Sequence, residues 1–420
     1  MYEISELDSD EEVAFAAATF VLLSGELLKK PVKRNRRFWM SSLNKSRKKS
    51  NANDMLTNLR KEPSGNFENF CRMSAIDFEH LLSRIGLLIA RQDTNMRESI
   101  PMQERLAVAL RFFATGDSYS SLSFLFKFSK QTVSRCVDEV CKALIQELKK
   151  EIKLPENEDE WLAIAQGFQD QWNFPNCLGA IDGKHVLLQC PNNTITDDIN
   201  NKGTVSVELL ALVDAHYCFT FVDIGCQGQV FNNSSLFPKL KKDELKLPPD
   251  GNLPAFDEAL PYVFLADPAF ALSRHMMIPY PSSIEKECEK RIFNYRLSHA
   301  RRVVENVFGV LASVFRVFRK PMMLQPEKVS NVTLACVLLH NFMRRSPTSV
   351  SSYTPPGTFD TEVDGKFVPG SWRKDESRTT SFMPLKKVAR KPSEEGMTTR
   401  DSFAEYFNSS GKLPWQDEYC

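Results

Sequence analysis

Three acidic residues in this chain have the setting that metal-assisted chemistry needs. Asp182 stands in CLGAIDGKHVLLQ, Asp267 in YVFLADPAF and Glu305 in LSHARRVVENVFGVL. The first two follow apolar runs rich in β-branched and aromatic residues, the pattern of buried strands. The third falls on an amphipathic helical pattern. A carboxylate at the end of a buried strand is costly unless a cation or a metal pairs with it. Three such carboxylates from distant parts of the chain point to a divalent-metal site for phosphoryl transfer. Two hard cations about 3.5–4 Å apart can activate a water or a 3′-hydroxyl and stabilise the leaving oxygen. Mg²⁺ prefers oxygen ligands, so carboxylates must supply them. In this reading Asp182 bridges from a central strand, Asp267 reaches in from a neighbouring strand end, and Glu305 comes across from a helix.

The other polar residues nearby have plainer expectations. Arg301 precedes Glu305 by four residues, so an i,i+4 bridge worth about 0.2–0.5 kcal/mol is its expected role, with holding Glu305 or touching a phosphate as the alternative. Lys184 and His185 follow Asp182 and Gly183 directly. Strand alternation puts His185 on the face opposite Asp182, where a hydrogen-bonded structural role is expected. Asp214 and Asp223 flank a tight joint near 216–218 and are expected to serve local backbone bonds, with a place among the site acids as the alternative. His340 and Asn341 are expected to pack or cap.

The elements that must position these acids follow from periodicity. Strands are predicted at 177–189, 205–217, 218–226 and 262–267, with the second and third joined as a hairpin. A short crossover segment is predicted at 232–243. Helices are predicted at about 298–318 and 326–344. Strand, antiparallel strand, strand, crossover, strand, then helices is the element order of an RNase H-like α/β domain, placed at 175–345. Residues 151–174 read as a connector ending in a helix, with Pro155, an acidic first turn, and Trp161, Ile164 and Phe168 on one stripe.

Upstream, residues 66–150 read as helical, with Gly116 as a helix stop. Within them, SYSSLSFLFKFSKQTVSRCVDEVCKALIQEL has the outline of a helix-turn-helix broken at Lys127–Ser129. Ser129 would cap the second helix. Lys130, Gln131, Ser134 and Arg135 would then lie on its exposed N-terminal face, where a recognition helix meets bases and phosphates. A helical hairpin that only packs fits the same pattern.

The chain ends differ in character. Residues 1–65 read as an irregular, disordered arm. Between Lys29 and Lys49 stand ten Lys or Arg and no acid. Lys33, Arg34, Arg36, Arg37, Arg47, Lys48 and Lys49 form the densest part. Such a run is a solvated tail, and it also serves as a nuclear import signal or phosphate-binding arm. Residues 346–420, rich in Ser, Thr, Pro and Gly at first, read as a flexible polar tail.

Composition narrows the class. The 420 residues are 42% hydrophobic and 25% charged with a net charge of +1, ordinary for a globular protein of two or three domains. The ten Cys form no CxxC pair and no zinc spacing. The chain is expected to be cytosolic or nuclear with reduced thiols. The apolar run at 13–23 is too short to span a bilayer, and its acidic lead-in is wrong for a signal peptide.

Several long motifs in order resemble the PIF/Harbinger family of DDE transposases and Harbinger-derived nucleases. They are GAIDGKHV, LLALVDAHYCFTFVDIGCQG, PYVFLADPAFAL, IFNYRLSHARRVVENVFGVL and ACVLLHNF, preceded by RMSAIDFEHLL, ERLAVALRFFATGDSYSSLSFLF and FSKQTVSRCV. The resemblance covers roughly residues 67–345. It implies an RNase H-like catalytic domain whose DDE triad holds two Mg²⁺ or Mn²⁺ ions. The family's two Asp fall on Asp182 and Asp267 and its Glu on Glu305, with 37 residues between the last two. Its helix-turn-helix falls on about 105–145. It also implies DNA as substrate and a separate Myb/SANT-like DNA-binding partner. Two stretches depart from the family's pattern. DDINNKG has Asn201 where Tyr is usual, and QVFNNSS has Asn232 or Asn233 where an Asp is usual. Neither removes a triad carboxylate. Both bear on substrate handling and fit a host-adopted copy. The expected function is therefore a nuclear, metal-dependent DNA endonuclease. The alternative is a catalytically silent DNA- or chromatin-associated factor that keeps the fold. The oligomeric state is open, and no membrane association is expected.

Overall fold

The structure, a computed structural model, describes residues 42–47, 51–62, 64–95, 98–189, 205–226, 234–281, 288–363, 365–378, 381–385 and 391–419. The chain divides into two units, 1–45 and 46–420. In the first, the described residues, 42–45, are helical.

The second unit opens with six helices: α1 (Ala52–Lys61), α2 (Asn66–Cys71), α3 (Ala75–Ile89), α4 (Met102–Thr115), α5 (Tyr119–Phe126) and α6 (Lys130–Leu148). Their starts are written in the sequence. Asn51, Ser74, Ser118 and Ser129 each accept a backbone N–H of the first turn of α1, α3, α5 and α6. Each such cap satisfies an orphan donor and contributes about 1 kcal/mol. Gly116 ends α4 in the left-handed region at φ 66°. Lys127, with φ 55°, turns the chain between α5 and α6. Helix α6 buries Val133, Val137, Val140 and Leu144, spaced at helical period, in the core shared by these helices.

Helix α7 (Glu158–Trp172) leads into a mixed sheet. Its strands are β1 (Cys177–Leu188), β2 (Val205–Val213), β3 (Phe219–Cys226), β4 (Val263–Leu265) and β5 (Met276–Met277). They lie in the order β3-β2-β1-β4-β5. β1 pairs antiparallel with β2, and β2 with β3. β4 runs parallel to both β1 and β5. The crossover between β3 and β4 includes a short helix, α8 (Leu236–Lys241). All nine residues of β2 are buried, because both faces of the sheet are covered. One face packs on a cluster containing Trp161 of α7, Leu178, Ile181, Leu210 and Phe264. The other, with Ala180, Val186, Leu209 and Ala211, packs on helices α9 (Cys288–Val314) and α10 (Pro326–Arg345).

The hairpin between β2 and β3 is pinned from α10. His340 contacts the Tyr217 carbonyl through Nε2 at 2.8 Å and the Tyr353 hydroxyl through Nδ1 at 2.7 Å. The carbonyl can only accept, so Nε2 carries the proton and Nδ1 receives the hydroxyl's. Asn341 bonds both the N–H and the carbonyl of Phe219, at 2.9 and 2.7 Å. Asp214 accepts from the backbone N–H of His216 and of Cys218, both at 2.9 Å, which closes the turn.

Three sequence expectations change. Helix α9 begins at Cys288, ahead of the 298 inferred from apolar spacing, since its first turns pack through Ile292 and Phe293. The disordered arm ascribed to 1–65 contains α1, which Asn51 and Asp54 close with a capping box and which buries Ala52 and Leu56. The flexible tail ascribed to 346–420 contains a hairpin, β6 (Thr361–Val363) with β7 (Lys366–Val368), a strand β8 (Phe382–Pro384) and a helix, α11 (Glu394–Asn408). Its polar composition hid a few well-placed aromatic anchors: Trp372, Phe403 and Phe407 are buried. Among the described residues no helix is long and apolar enough to cross a membrane.

Candidate active site

Strand β1 changes partner along one edge. Its first part, Cys177–Ala180, pairs with β4, and its later part, Lys184–Val186, pairs antiparallel with β8. Asp182 sits between the two pairings, on the same face as Ala180 and Val186, which look toward α9. Asp267 follows the end of β4 by two residues. Glu305 lies on α9. The side chains of Asp182, Asp267 and Glu305 line one cavity of about 440 Å³, together with Lys184, Arg301, Phe308 and Gly309.

The local chemistry differs among the three acids. Asp182 has a side chain only 7% exposed, and its Oδ2 is 3.2 Å from Lys184 Nζ. Its Oδ1 accepts the Gly183 N–H at 2.8 Å. Lys184 reaches it because the two residues share a strand face, and the ammonium lies 5.5 Å from the centre of the Phe308 ring. Asp267 accepts the Ala269 N–H at 3.0 Å. Burial holds its carboxyl above the ordinary range, and the neighbouring Asp182 charge pushes it the same way. Glu305 accepts a hydrogen bond from Arg301 one turn earlier on α9.

Three carboxylates are hard oxygen donors, a fitting set for a divalent cation. The acids meet in one cavity, yet among the described residues no three His, Cys, Asp or Glu stand close enough to hold a metal. The expected cage is replaced by two ion pairs, Asp182 with Lys184 and Glu305 with Arg301. Arg301 is thus an i,i+4 bridge, as its spacing suggested, and also a wall of the cavity.

The remaining wall comes from the C-terminal segment. Trp372, Arg373, Phe382 and Pro384 line the same cavity. Phe382 meets the Phe308 ring edge-on at 5.3 Å. Trp372 lies so close to Gly309 that a Cβ there would collide with its indole. Leu385 covers Gly183 in the same way. Arg373 grips Asp360, whose carboxylate is fully buried, with bonds of 2.7–3.1 Å. Sequence reasoning missed these residues. The tryptophan within a polar stretch and the two glycines beside the acids were the available signals.

The other expected site residues fall elsewhere. Lys130, Gln131 and Arg135 are exposed on the first turns of α6, and Ser134 is half-buried with a hydrogen bond to Tyr119 of α5. Arg47, grouped by sequence with the basic arm, instead donates to Glu104 Oε2 at 2.9 Å and stacks 4.9 Å from the centre of Phe128. Its pairing relieves a carboxylate buried inside the helical region, which a free arm residue could not do. Lys33, Arg34, Arg36, Arg37, Lys48 and Lys49 lie outside the described residues, as do Asn201, Asn232 and Asn233. His185 bonds Ser206 at 3.1 Å and is absent from the cavity lining.

Comparison with known proteins bears on this site. Residues 181–341 match the DDE superfamily endonuclease family. The chain is 27% identical to the candidate nuclease HARBI1 of Homo sapiens over 270 residues, 62% of this chain and 72% of that protein. It is 26% identical to HARBI1 of Mus musculus over 294 residues, 68% of this chain and 79% of that one. The protein Antagonist of Like Heterochromatin Protein 1 of Arabidopsis thaliana is 26% identical over 292 residues, 66% of this chain and 72% of that protein.

Proposed function

From the DDE superfamily endonuclease domain that this chain carries, and from its homology to HARBI1, we propose that it is a metal-dependent DNA endonuclease of the Harbinger transposase type. The supporting observation is that Asp182, Asp267 and Glu305, from two strand ends and a helix, line one cavity. The order and senses of the strands, three antiparallel followed by two parallel, support an RNase H-like fold for the domain.

Asp182, Asp267 and Glu305 are the residues that would hold Mg²⁺ or Mn²⁺. Such an ion polarises a phosphoryl oxygen and lowers the pKa of water. Asp182 is anchored by the Gly183 N–H and Asp267 by the Ala269 N–H, so both carboxyls are fixed in direction before a ligand arrives. Trp372 and Phe382 narrow the space around them. The exposed start of α6 is the DNA-contacting face of a helix-turn-helix, through Lys130, Gln131 and Arg135, with Ser134 held behind them by Tyr119. The basic run at Lys33, Arg34, Arg36, Arg37, Lys48 and Lys49 acts as a nuclear address and phosphate-binding arm. One helix with so few base-reading side chains gives limited discrimination, since each good bidentate contact is worth about 1–3 kcal/mol. A Myb/SANT-like partner protein is the source of the remaining specificity.

A second reading has its own support. Two of the three acids are paired with cations of the chain itself. A DNA- or chromatin-associated factor that no longer cuts would tolerate that arrangement. The plant relative's printed name, which refers to a heterochromatin protein, is in keeping with it. A nicking assay separates the two, using duplexes that carry the inverted repeats of the encoding element with Mg²⁺ or Mn²⁺. Cleavage that is lost in Asp182→Asn supports the endonuclease. DNA binding with no cleavage under either metal supports the silent factor.

A further inference from the structure

We propose that Lys184 and Arg301 are tethered counter-cations of the carboxylate cavity, holding Asp182 and Glu305 until a divalent ion displaces them and then turning to the phosphates of the bound nucleic acid. This rests on the endonuclease reading above and assigns two further residues to the same site.

The two pairs share one design. Lys184 stands two residues from Asp182 on one strand face, and Arg301 one turn from Glu305 on one helix face. Each cation therefore reaches its acid without long-range folding, and each rides on a flexible stem that can swing. Both line the open cavity rather than a packed interior. Lys184 remains 19% exposed and Arg301 18% exposed at the side chain. Their movement needs no repacking of the core.

Charge gives the reason for the device. Three carboxylates and these two cations leave the cavity with one net negative charge. Arg373, the other basic lining residue, is neutralised by Asp360. With one divalent ion held there the balance would become one net positive charge, which suits a phosphodiester. Were the carboxylate oxygens of Asp182 and Glu305 to hold that ion, Lys184 and Arg301 would be left with donors that match phosphate. Without the cations, unpaired acids would crowd a partly desolvated space, which is expensive. The pairs thus weaken metal binding in the free protein and strengthen nucleic-acid binding in the metal-loaded one.

The test uses the full chain and two readouts, neither of them cleavage. Mn²⁺ binding without DNA is followed by the paramagnetic signal of the free ion. Binding of a fluorescent duplex in saturating Mn²⁺ is followed by anisotropy. Lys184→Met and Arg301→Met should each bind Mn²⁺ about tenfold tighter, the scale of removing a unit charge a few ångström from a divalent ion in a partly solvated site. Each should bind the duplex several-fold more weakly. Lys184→Arg and Arg301→Lys should keep the wild-type affinity for Mn²⁺. A merely structural bridge predicts the opposite sign, since its loss would loosen the site and weaken metal binding. Should one Met variant fail to fold, the other still decides, because the two lie on different elements. If the wild type binds Mn²⁺, Asp182→Asn does not, and both Met variants match the wild type, the counter-cation role is overturned while the endonuclease reading stands. If neither the wild type nor any variant binds Mn²⁺ saturably, the endonuclease reading fails and this inference falls with it.

Discussion

Trp372 Nε1 donates a 2.8 Å hydrogen bond to Asn306 Oδ1, the residue directly after Glu305 on the long helix. The same oxygen accepts the Asp360 N–H at 2.9 Å. A segment more than sixty residues downstream therefore fixes the turn of α9 that carries one of the three acids. The indole also fills the notch left by Gly309.

Trp372→Ala should be severely destabilising. It opens a cavity beside Gly309 and removes a donor from a fully buried asparagine. A large aromatic truncation in a core costs about 3–5 kcal/mol. Gly309→Ala should also destabilise, by about 1–3 kcal/mol, because the added methyl meets the indole. Urea unfolding followed by tryptophan fluorescence and circular dichroism measures both. An unchanged midpoint for Gly309→Ala would mean that the segment does not rest on α9.

Asp182→Asn and Asp267→Asn should remove nicking while leaving the fold in place. An amide keeps the oxygen that accepts the Gly183 or Ala269 N–H, so the local backbone bonds survive. It loses the negative charge that a divalent ion requires. A loss of about 4 kcal/mol of transition-state stabilisation corresponds to about a thousandfold in rate. The measurement is the initial nicking rate at saturating Mn²⁺, with the thermal midpoint as control. Retained nicking in either variant would remove that residue from the catalytic set.

The acids were legible in the sequence because each carries a local signature: an apolar run ended by a carboxylate, or a carboxylate on an amphipathic stripe. Their meeting in one cavity depends on strand order and crossover, which apolar spacing constrains only loosely. The ion pairs were half legible. Arg301 is visible as an i,i+4 partner of Glu305, and Lys184 as a same-face neighbour of Asp182, but spacing does not say that both line a cavity. The wall built by Trp372 and Phe382 was not legible. Ser-, Thr- and Pro-rich composition suggests disorder, and β8 has only three residues, held by pairing to β1. Its order comes from contacts distant in sequence, which no local pattern records.

His340 supplies a pH dependence. Complete burial pushes its pKa down to about 3 from an ordinary 6.5, so the ring is neutral in the fold. The unfolded chain takes up a proton near pH 6.5 that the folded chain refuses until about pH 3. In that window the unfolded state binds more protons, so stability falls as pH falls. The contribution of this one group is present above pH 6.5 and declines by about 1.4 kcal/mol per unit as the pH drops below it. His340→Gln should be less stable at neutral pH, having lost the bond pair to Tyr217 and Tyr353. Its stability should also change less between pH 7 and pH 5 than the wild type's. Parallel curves for the two proteins would show that His340 does not titrate on unfolding.

The exposed start of α6 can be tested by salt rather than by affinity alone. Lys130 and Arg135 project from its first turns beside Gln131, while Ser134 is held by Tyr119. If Lys130 and Arg135 touch phosphates, each releases counterions on binding, and each should contribute about 0.9 to the slope of log affinity against log salt for a duplex. Lys130→Ala and Arg135→Ala should therefore weaken binding on every duplex alike and flatten the slope by about one each. Gln131→Ala should leave the slope alone and change only preference among sequences. Deleting residues 1–45, which spares Arg47 and its bond to Glu104, should flatten the slope further if the basic run tracks the backbone. Anisotropy titrations at several salt concentrations give all four slopes. A wild-type slope in Lys130→Ala and Arg135→Ala would move the DNA contact away from α6, and a wild-type slope after the deletion would leave the basic run to nuclear import alone.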